Sequence, residues 1–350
     1  MKYRKLGTTD LDVSVICLGS MTWGEQNSQS EAFEQMDYAV EKGINFIDTA
    51  EIYSVMPRKE TYGKTEKIIG NWFKRSGQRK KIVLATKIAS KSTGLDWIRE
   101  GKEKLGFDKK NMNAAVDESL KRLQTEYIDL YQLHWPERKV PLFGKLDFEY
   151  DPHDTDWTPF EEVLENLKEI IKTGKIRYVG LSNETPWGMM KFLQISKNKN
   201  LPRMMSIQNA YNLVNRVFDT ANSEVAINEK CGLLAYSPIA GGRLSGKYLN
   251  GAQPINARYT LWPSRFSRHA TARGDNAINT YINLAKKHNL SSTTIANAFV
   301  NDRPFVTSNI IGATTMKQLQ ENIDSININL SDDILKQIEE IHSFDPNPCV

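Results

Sequence analysis

Cysteine is scarce: Cys17, Cys231 and Cys349 are the only three in 350 residues. That is no disulfide framework, and the spacing fits no zinc site; such sparing use suits a reducing cytoplasm. Histidine is nearly as rare. His134, His153, His269, His288 and His342 show no clustered ligand spacing, which argues against a metal-dependent hydrolase and predicts no metal site. No run approaches the roughly 18 apolar residues of a membrane-spanning helix. The opening MKYRKLGTTD has basic residues without an apolar stretch behind them, so it does not read as a signal peptide. Neither sign of charge dominates: 46 basic and 42 acidic residues give +4. So dilute a balance implies no nucleic-acid or membrane surface, and at most suits an anionic ligand.

What is present is a hydrophobic content of 40%, enough for a sizeable core, arranged in a repeating order. Short β-rich runs recur: VICLG (15–19), NFIDTA (45–50), IVLATK (82–87), IDLYQLH (128–134), IRYVGLS (176–182), MSIQN near 204–208, GLLAYSP (232–238) and SNIIGA (308–313). Helical patterns lie between and after them, at 30–42, 65–75, 109–123, 160–172, 187–197, 220–229, 276–288 and 316–325. Continuous apolar strands separated by helices indicate a parallel sheet covered on its outer face. Eight such units without a break in composition predict an α/β fold, a closed (β/α)8 TIM barrel forming one domain over 1–350. An open doubly wound sheet is disfavoured, because GSMTWG at 19–24 lacks the G-x-G-x-x-G spacing after the first strand. YRKLGTTDLDVS (3–14) reads as a hairpin capping the closed end of the barrel. SDDILKQIEEIHSF (331–344), with its Ser N-cap and early acids, reads as a final helix. Three long connections, 90–108, 136–158 and 241–274, follow the third, fourth and seventh barrel strands. That is the side where barrel enzymes build their sites. The middle one carries Phe143, Phe148, Tyr150 and Trp157, candidates to wall a substrate pocket.

Four polar residues then stand out. Asp48 ends the second barrel strand and Tyr53 follows five residues later; Lys87 ends the third strand; His134 closes the fourth. Singly, each has an ordinary role as a turn, packing, solvated or core residue. Jointly, at one barrel mouth, they have the parts of a proton-donating site. A free phenol titrates near pH 10. A neighbouring ammonium would favour phenolate and lower that value. Lys87 is placed to supply the charge, Asp48 to fix Lys87, and His134 to donate to a developing alkoxide.

These residues resemble the Asp-Tyr-Lys-His tetrad of the aldo-keto reductases, and the resemblance runs from GSMTWG (19–24) to ATTMKQLQENI (313–323). The motifs fit its Tas-like branch best, with the voltage-gated potassium channel β-subunits nearby. The resemblance implies an NAD(P)H-dependent carbonyl reductase acting on aldehydes or ketones, with Tyr53 as general acid and Asp48, Lys87 and His134 around it. It also leaves a second expectation: a cofactor-bound, redox-sensing module with little turnover that contacts a protein partner. His134 argues against that, because the channel branch departs from His there.

The cofactor half can be followed along the chain. GLSN (180–183) and QN (208–209) put hydroxyl and amide groups at strand ends, able to grip a carboxamide or simply to make turns. By resemblance, Ser182, Asn183 and Gln208 hold the nicotinamide amide and Tyr236 stacks on its ring. SPIAGGRLSGKY (237–248) is a Gly-rich loop whose amides could cradle a pyrophosphate. By resemblance, its contacts are Ser237, Pro238, Ile239, Gly241 and Lys247, with Arg258 further on. GATTMKQLQEN (312–322) opens a helix, whose N-terminus attracts anions. Gly312, Thr314, Gln318, Glu321 and Asn322 match the adenine and 2′-phosphate pocket, and Ser20, Met21, Gln26 and Asp48 complete the contacts. Many family members carry Lys and Arg where this chain has Gly312 and Gln318. NADPH is expected before NADH, with Arg258, Arg265 and Lys317 as candidate replacement charges. A small-molecule carbonyl substrate and a cytoplasmic location complete the expectations.

Overall fold

Eight parallel strands close on themselves in the computed structural model, which describes residues 1–99, 104–264, 266 and 268–350. They are β3 (Ile16–Gly19), β4 (Phe46–Asp48), β5 (Val83–Ile88), β6 (Ile128–Leu133), β7 (Ile176–Ser182), β8 (Met204–Ala210), β9 (Gly232–Tyr236) and β10 (Val306–Ile311). Each pairs with the next in sequence, and β10 returns to β3, so the sheet has no free edge. The fold is the (β/α)8 barrel that the alternating pattern predicts. Ahead of it, β1 (Tyr3–Lys5) and β2 (Asp12–Ser14) form an antiparallel hairpin.

The hairpin closes the bottom of the barrel. Leu6 and Val13 pack with Cys17, Phe46, Val83, Ala85, Leu130, Leu234 and Ile310 in one buried cluster. Gly7, at a φ of +59°, lies against Met205; a Cβ there would come 2.5 Å from the Met205 carbonyl oxygen. Only glycine permits both the left-handed backbone and that approach.

Most of the helices cover the outside because each has one apolar face. In the helix Phe160–Lys172 the buried Phe160, Val163, Leu164, Leu167 and Ile170 recur at helical spacing. The helix Gln29–Glu41 opens on a capping box between Ser28 and Glu31. The final helix, Asp332–Phe344, is capped by Ser331. One helix, Ser292–Asp302, stands outside the expected set. All its residues from Ile295 to Asn301 are buried, so no polar face marks it in the sequence. The expected helix at 220–229 is broken: the backbone at Ala221 is non-helical, leaving Val217–Thr220 and Asn222–Asn228.

The three long loops rise above the strand C-termini. That after β9 carries local structure, with 3-10 turns at Ala240–Ser245 and Leu249–Gly251 and a short helix at Arg258–Leu261. No described helix is long and apolar enough to cross a membrane.

Candidate active site

Strand parity builds the site. Side chains alternate faces along a strand, so Phe46 and Asp48 share one face of β4, and Val83, Ala85 and Lys87 share one of β5. Leu130, Gln132 and, one step beyond the strand, His134 do the same on β6. The lower members fill the interior cluster with the hairpin. The upper members meet above it: Lys87 Nζ donates to Asp48 Oδ2 at 2.7 Å and to the Thr49 carbonyl at 2.8 Å, and lies 3.4 Å from Tyr53 Oη. The Tyr53 and His134 rings meet edge to face, 5.8 Å between centroids. All four predicted residues are brought together. Gln132 joins them unpredicted. Its Nε2 donates to Asp48 Oδ1 at 3.1 Å, as does Gln208 Nε2 at 2.9 Å. The one sequence signal for it was its inward parity, two residues before His134.

Electrostatics set the protonation states. Burial weighs most on Lys87, yet Asp48 and Tyr53 together raise its pKa above the ordinary value, so it stays an ammonium. Burial also dominates at Tyr53 and raises the phenol pKa; Lys87 opposes this and Asp48 adds to it. This corrects the expectation of a lowered value. The ammonium does pull the phenol down, but desolvation and the adjacent carboxylate outweigh it. The phenol is therefore fully protonated at neutrality, the form a proton donor needs. Burial, helped by Lys87, lowers the His134 pKa well below 6.5, so that imidazole is neutral.

His269 behaves likewise. It is buried, its Nδ1 is 2.7 Å from Tyr259 Oη, and burial with Arg268 lowers its pKa well below 6.5. Below pH 6.5 the unfolded chain binds protons at both imidazoles that the folded chain does not. The stabilising contribution is thus present above that pH and lost as pH falls, by about 1.4 kcal/mol per pH unit for each histidine. Urea unfolding between pH 7 and 5 is expected to show this slope, and His269→Gln is expected to roughly halve it. An unchanged slope in that variant would mean that His269 is not buried neutral.

A cleft of about 1210 Å³ opens from the tetrad across the barrel top. That exceeds the range of about 300–1,000 Å³ usual for drug-sized ligands and suits an elongated one. Asp48, Tyr53 and His134 lie in its floor, with Lys87 buried behind them. Every residue expected to contact the cofactor lines it: Ser20, Met21, Gln26, Ser182, Asn183, Gln208, Tyr236, the loop positions 237–239, 241 and 247, Arg258, and Gly312, Thr314, Gln318, Glu321 and Asn322. Asn183 Nδ2 donates to the His134 carbonyl at 2.8 Å, and Tyr236 Oη to Asn183 Oδ1 at 2.7 Å. The loop after β9 turns through left-handed Gly241 and Gly242, at φ of +66° and +98°. Lys247 and Arg258 sit close together, no carboxylate is among their charged neighbours in the described residues, and burial lowers both pKa values. Paired cations without a counter-charge fit an anionic ligand. Gln318 Oε1 accepts from Thr314 N–H at 2.9 Å and from its hydroxyl at 3.1 Å, and a side chain at Gly312 would meet open space. Of the replacement charges, Arg258 lines the cleft, Lys317 is exposed away from it, and Arg265 lies outside the described residues.

On the substrate side Phe143 lines the cleft, as do Ile52, Leu95, Trp135 and Leu142. Phe148 and Tyr150 are 65% and 79% exposed and do not. Trp157 packs on Phe160 instead.

Comparison with known proteins agrees with this geometry. The aldo/keto reductase family matches residues 15–343. Protein tas of Escherichia coli (strain K12) is 45% identical over the whole of both chains. The uncharacterized oxidoreductase YrpG of Bacillus subtilis (strain 168) is 32% identical, over 97% of this chain and 96% of its own. Norsolorinic acid reductase B of Dothistroma septosporum is 28% identical, over 99% of this chain and 82% of its own.

Proposed function

The chain belongs to the aldo/keto reductase family and is an oxidoreductase, and we propose that it reduces aldehydes or ketones to alcohols with NADPH, as one barrel domain over residues 1–350. The observation that carries this is Lys87 Nζ, set between Asp48 Oδ2 and Tyr53 Oη beside a neutral His134. A nicotinamide cofactor, usual in this family, supplies hydride to the carbonyl carbon when bound. Ser182, Asn183 and Gln208 would hold its carboxamide, Tyr236 its ring, the 237–247 loop with Arg258 its phosphates, and the 312–322 segment its adenosine. The donors and the unpaired cations fit such a group.

The chain's own chemistry is proton delivery. Tyr53 holds the proton at Oη, and gives it to the carbonyl oxygen as negative charge develops there. Lys87 stabilises the phenolate that remains, and Asp48, held by Gln132 and Gln208, keeps Lys87 in place. His134 is neutral and lines the cleft beside Tyr53, where it can orient the carbonyl by hydrogen bonding.

Fluorescence titration with NADPH and NADH, followed by mixing each complex with 4-nitrobenzaldehyde, tests the reading. Tighter NADPH binding and aldehyde-dependent loss of absorbance are expected. Tight binding without oxidation across several carbonyls would favour the redox-sensing module with a protein partner. Binding of neither nucleotide would overturn both.

A further inference from the structure

A second charged assembly lies beside the tetrad, outside the cleft. Glu51 follows Asp48 by three residues and precedes Tyr53 by two, and it is fully buried. Its Oε1 accepts from the Ala89 backbone N–H at 2.6 Å and from Arg99 Nη2 at 3.1 Å; its Oε2 accepts from Arg99 Nη1 at 2.8 Å. Arg99 Nε continues to Asn111 Oδ1 at 3.2 Å, on the helix Lys109–Leu123. The Glu51 backbone N–H donates to the Lys87 carbonyl at 3.2 Å. One carboxylate therefore joins the segment bearing Tyr53, the chain just past Lys87, and the loop whose Lys91–Leu95 stretch walls the cleft.

The assembly has a second half. Tyr62 Oη lies 3.4 Å from Glu51 Oε2, and Arg122 Nη1 lies 3.4 Å from that phenol. Arg122 Nε donates to buried Glu66 at 2.7 Å, and Thr86, the residue before Lys87, donates to Glu66 at 2.6 Å. Two buried carboxylates thus grip the chain on both sides of Lys87.

Stability alone is a poor reason for such an arrangement, because a buried ion pair gains little over packed apolar side chains. Its distinctive property is geometric: a bidentate Arg–carboxylate pair fixes angle as well as distance. Tyr53 needs that. Among the described residues its phenol has one hydrogen bond, the 3.4 Å contact with Lys87. Its ring packs against the cluster of Ala50, Ile52, Ala89, Ile98 and Leu105 and meets His134 edge to face; Ala50, Ile52, Ala89 and Ile98 lie on or beside the segments that Glu51 and Arg99 tie together. We infer that the Glu51–Arg99 pair is a positioning device that sets Tyr53 Oη against Lys87 and holds the 91–95 wall of the cleft. This rests on the reductase reading above.

The test compares Glu51→Gln, Arg99→Lys and the neutral pair Glu51→Gln/Arg99→Met with wild type. Misplacement of a reacting group by about 1 Å costs up to about 100-fold. Glu51→Gln is expected to lower kcat about 10-fold to 100-fold and, through the loosened 91–95 wall, to raise KM for the carbonyl, with NADPH affinity unchanged. Arg99→Lys keeps the charge without the fork and is expected to fall between. In parallel, 13C-tyrosine NMR, with Tyr53 assigned by its absence in Tyr53→Phe, is expected to show that resonance shifted or broadened in Glu51→Gln. If Glu51→Gln fails to fold, the neutral pair, which leaves no orphaned charge, answers in its place. Folded variants with wild-type kcat and an unmoved Tyr53 resonance would overturn the inference. If wild type itself reduces no carbonyl, the reductase reading fails, while the resonance still decides whether Glu51 positions Tyr53.

Discussion

Tyr53→Phe is expected to abolish carbonyl reduction while leaving nucleotide binding and folding intact. The change removes one oxygen and keeps the ring that packs on Ile52 and Ala89. General acid catalysis contributes about 100-fold to 10,000-fold, and the full loss should fall on kcat. Compensation by another group is not expected. His134 is neutral and lies beside Tyr53, but its low proton affinity makes it a hydrogen-bond donor rather than a source of charge. NADPH affinity, read by fluorescence quenching, should stay at the wild-type value. Wild-type turnover in the variant would remove Tyr53 from its role. The pH profile gives a second check. Since burial raises the Tyr53 pKa and lowers that of His134, neither group titrates between pH 7 and 9. The kcat of wild type should be flat across that interval, whereas a fall near neutrality would require a phenol acidified far more than this arrangement allows.

The barrel was legible because its strands are buried on both faces and read as unbroken apolar runs. IVLATK and IDLYQLH announce themselves and also carry the polar residues at their ends. Helices with one wet face were equally plain: Lys109–Leu123 and Phe160–Lys172 begin and end where the pattern says. The helix Ser292–Asp302 was not, since burial on nearly every side erases the period of 3.6. In the site, a carboxylate at one strand end and an ammonium at the next could be paired from spacing alone, because parallel neighbours in a barrel put their C-termini together. The pairing of Glu51 with Arg99 could not. The two lie 48 residues apart, and Arg99 sits in an irregular stretch after β5 whose sequence does not fix its path. The direction of the Tyr53 shift escaped for a related reason. Sequence places a charge near a phenol but does not say how much water is left between them, and burial is the larger contribution here. Loop aromatics show the same limit: Phe143 reaches the cleft while Phe148 and Tyr150 face outward.

Lys87→Met is expected to cost both activity and stability, and the partner variants separate the two. Lys87 is fully buried and its ammonium is the counter-charge of Asp48, itself 3% exposed. Removing one member of a buried pair leaves the other uncompensated, at a cost of about 3–5 kcal/mol. The Gln132 and Gln208 amides soften this by donating to Asp48 Oδ1, but Oδ2 loses its partner. Asp48→Asn alone strands the ammonium instead, leaving it the Thr49 carbonyl and Tyr53. The double variant Asp48→Asn/Lys87→Met removes both charges, so its stability should return most of the way to wild type, giving a strongly non-additive cycle in urea unfolding. Its kcat should not return. Lys87 is the group that opposes the burial-driven rise of the Tyr53 pKa, and without it the phenolate left after proton transfer loses the ammonium beside it. A stable but inactive double variant therefore separates what Lys87 does for the fold from what it does for Tyr53. Additive stability losses would mean that the pair is not coupled, and recovered turnover would mean that Tyr53 needs no ammonium beside it.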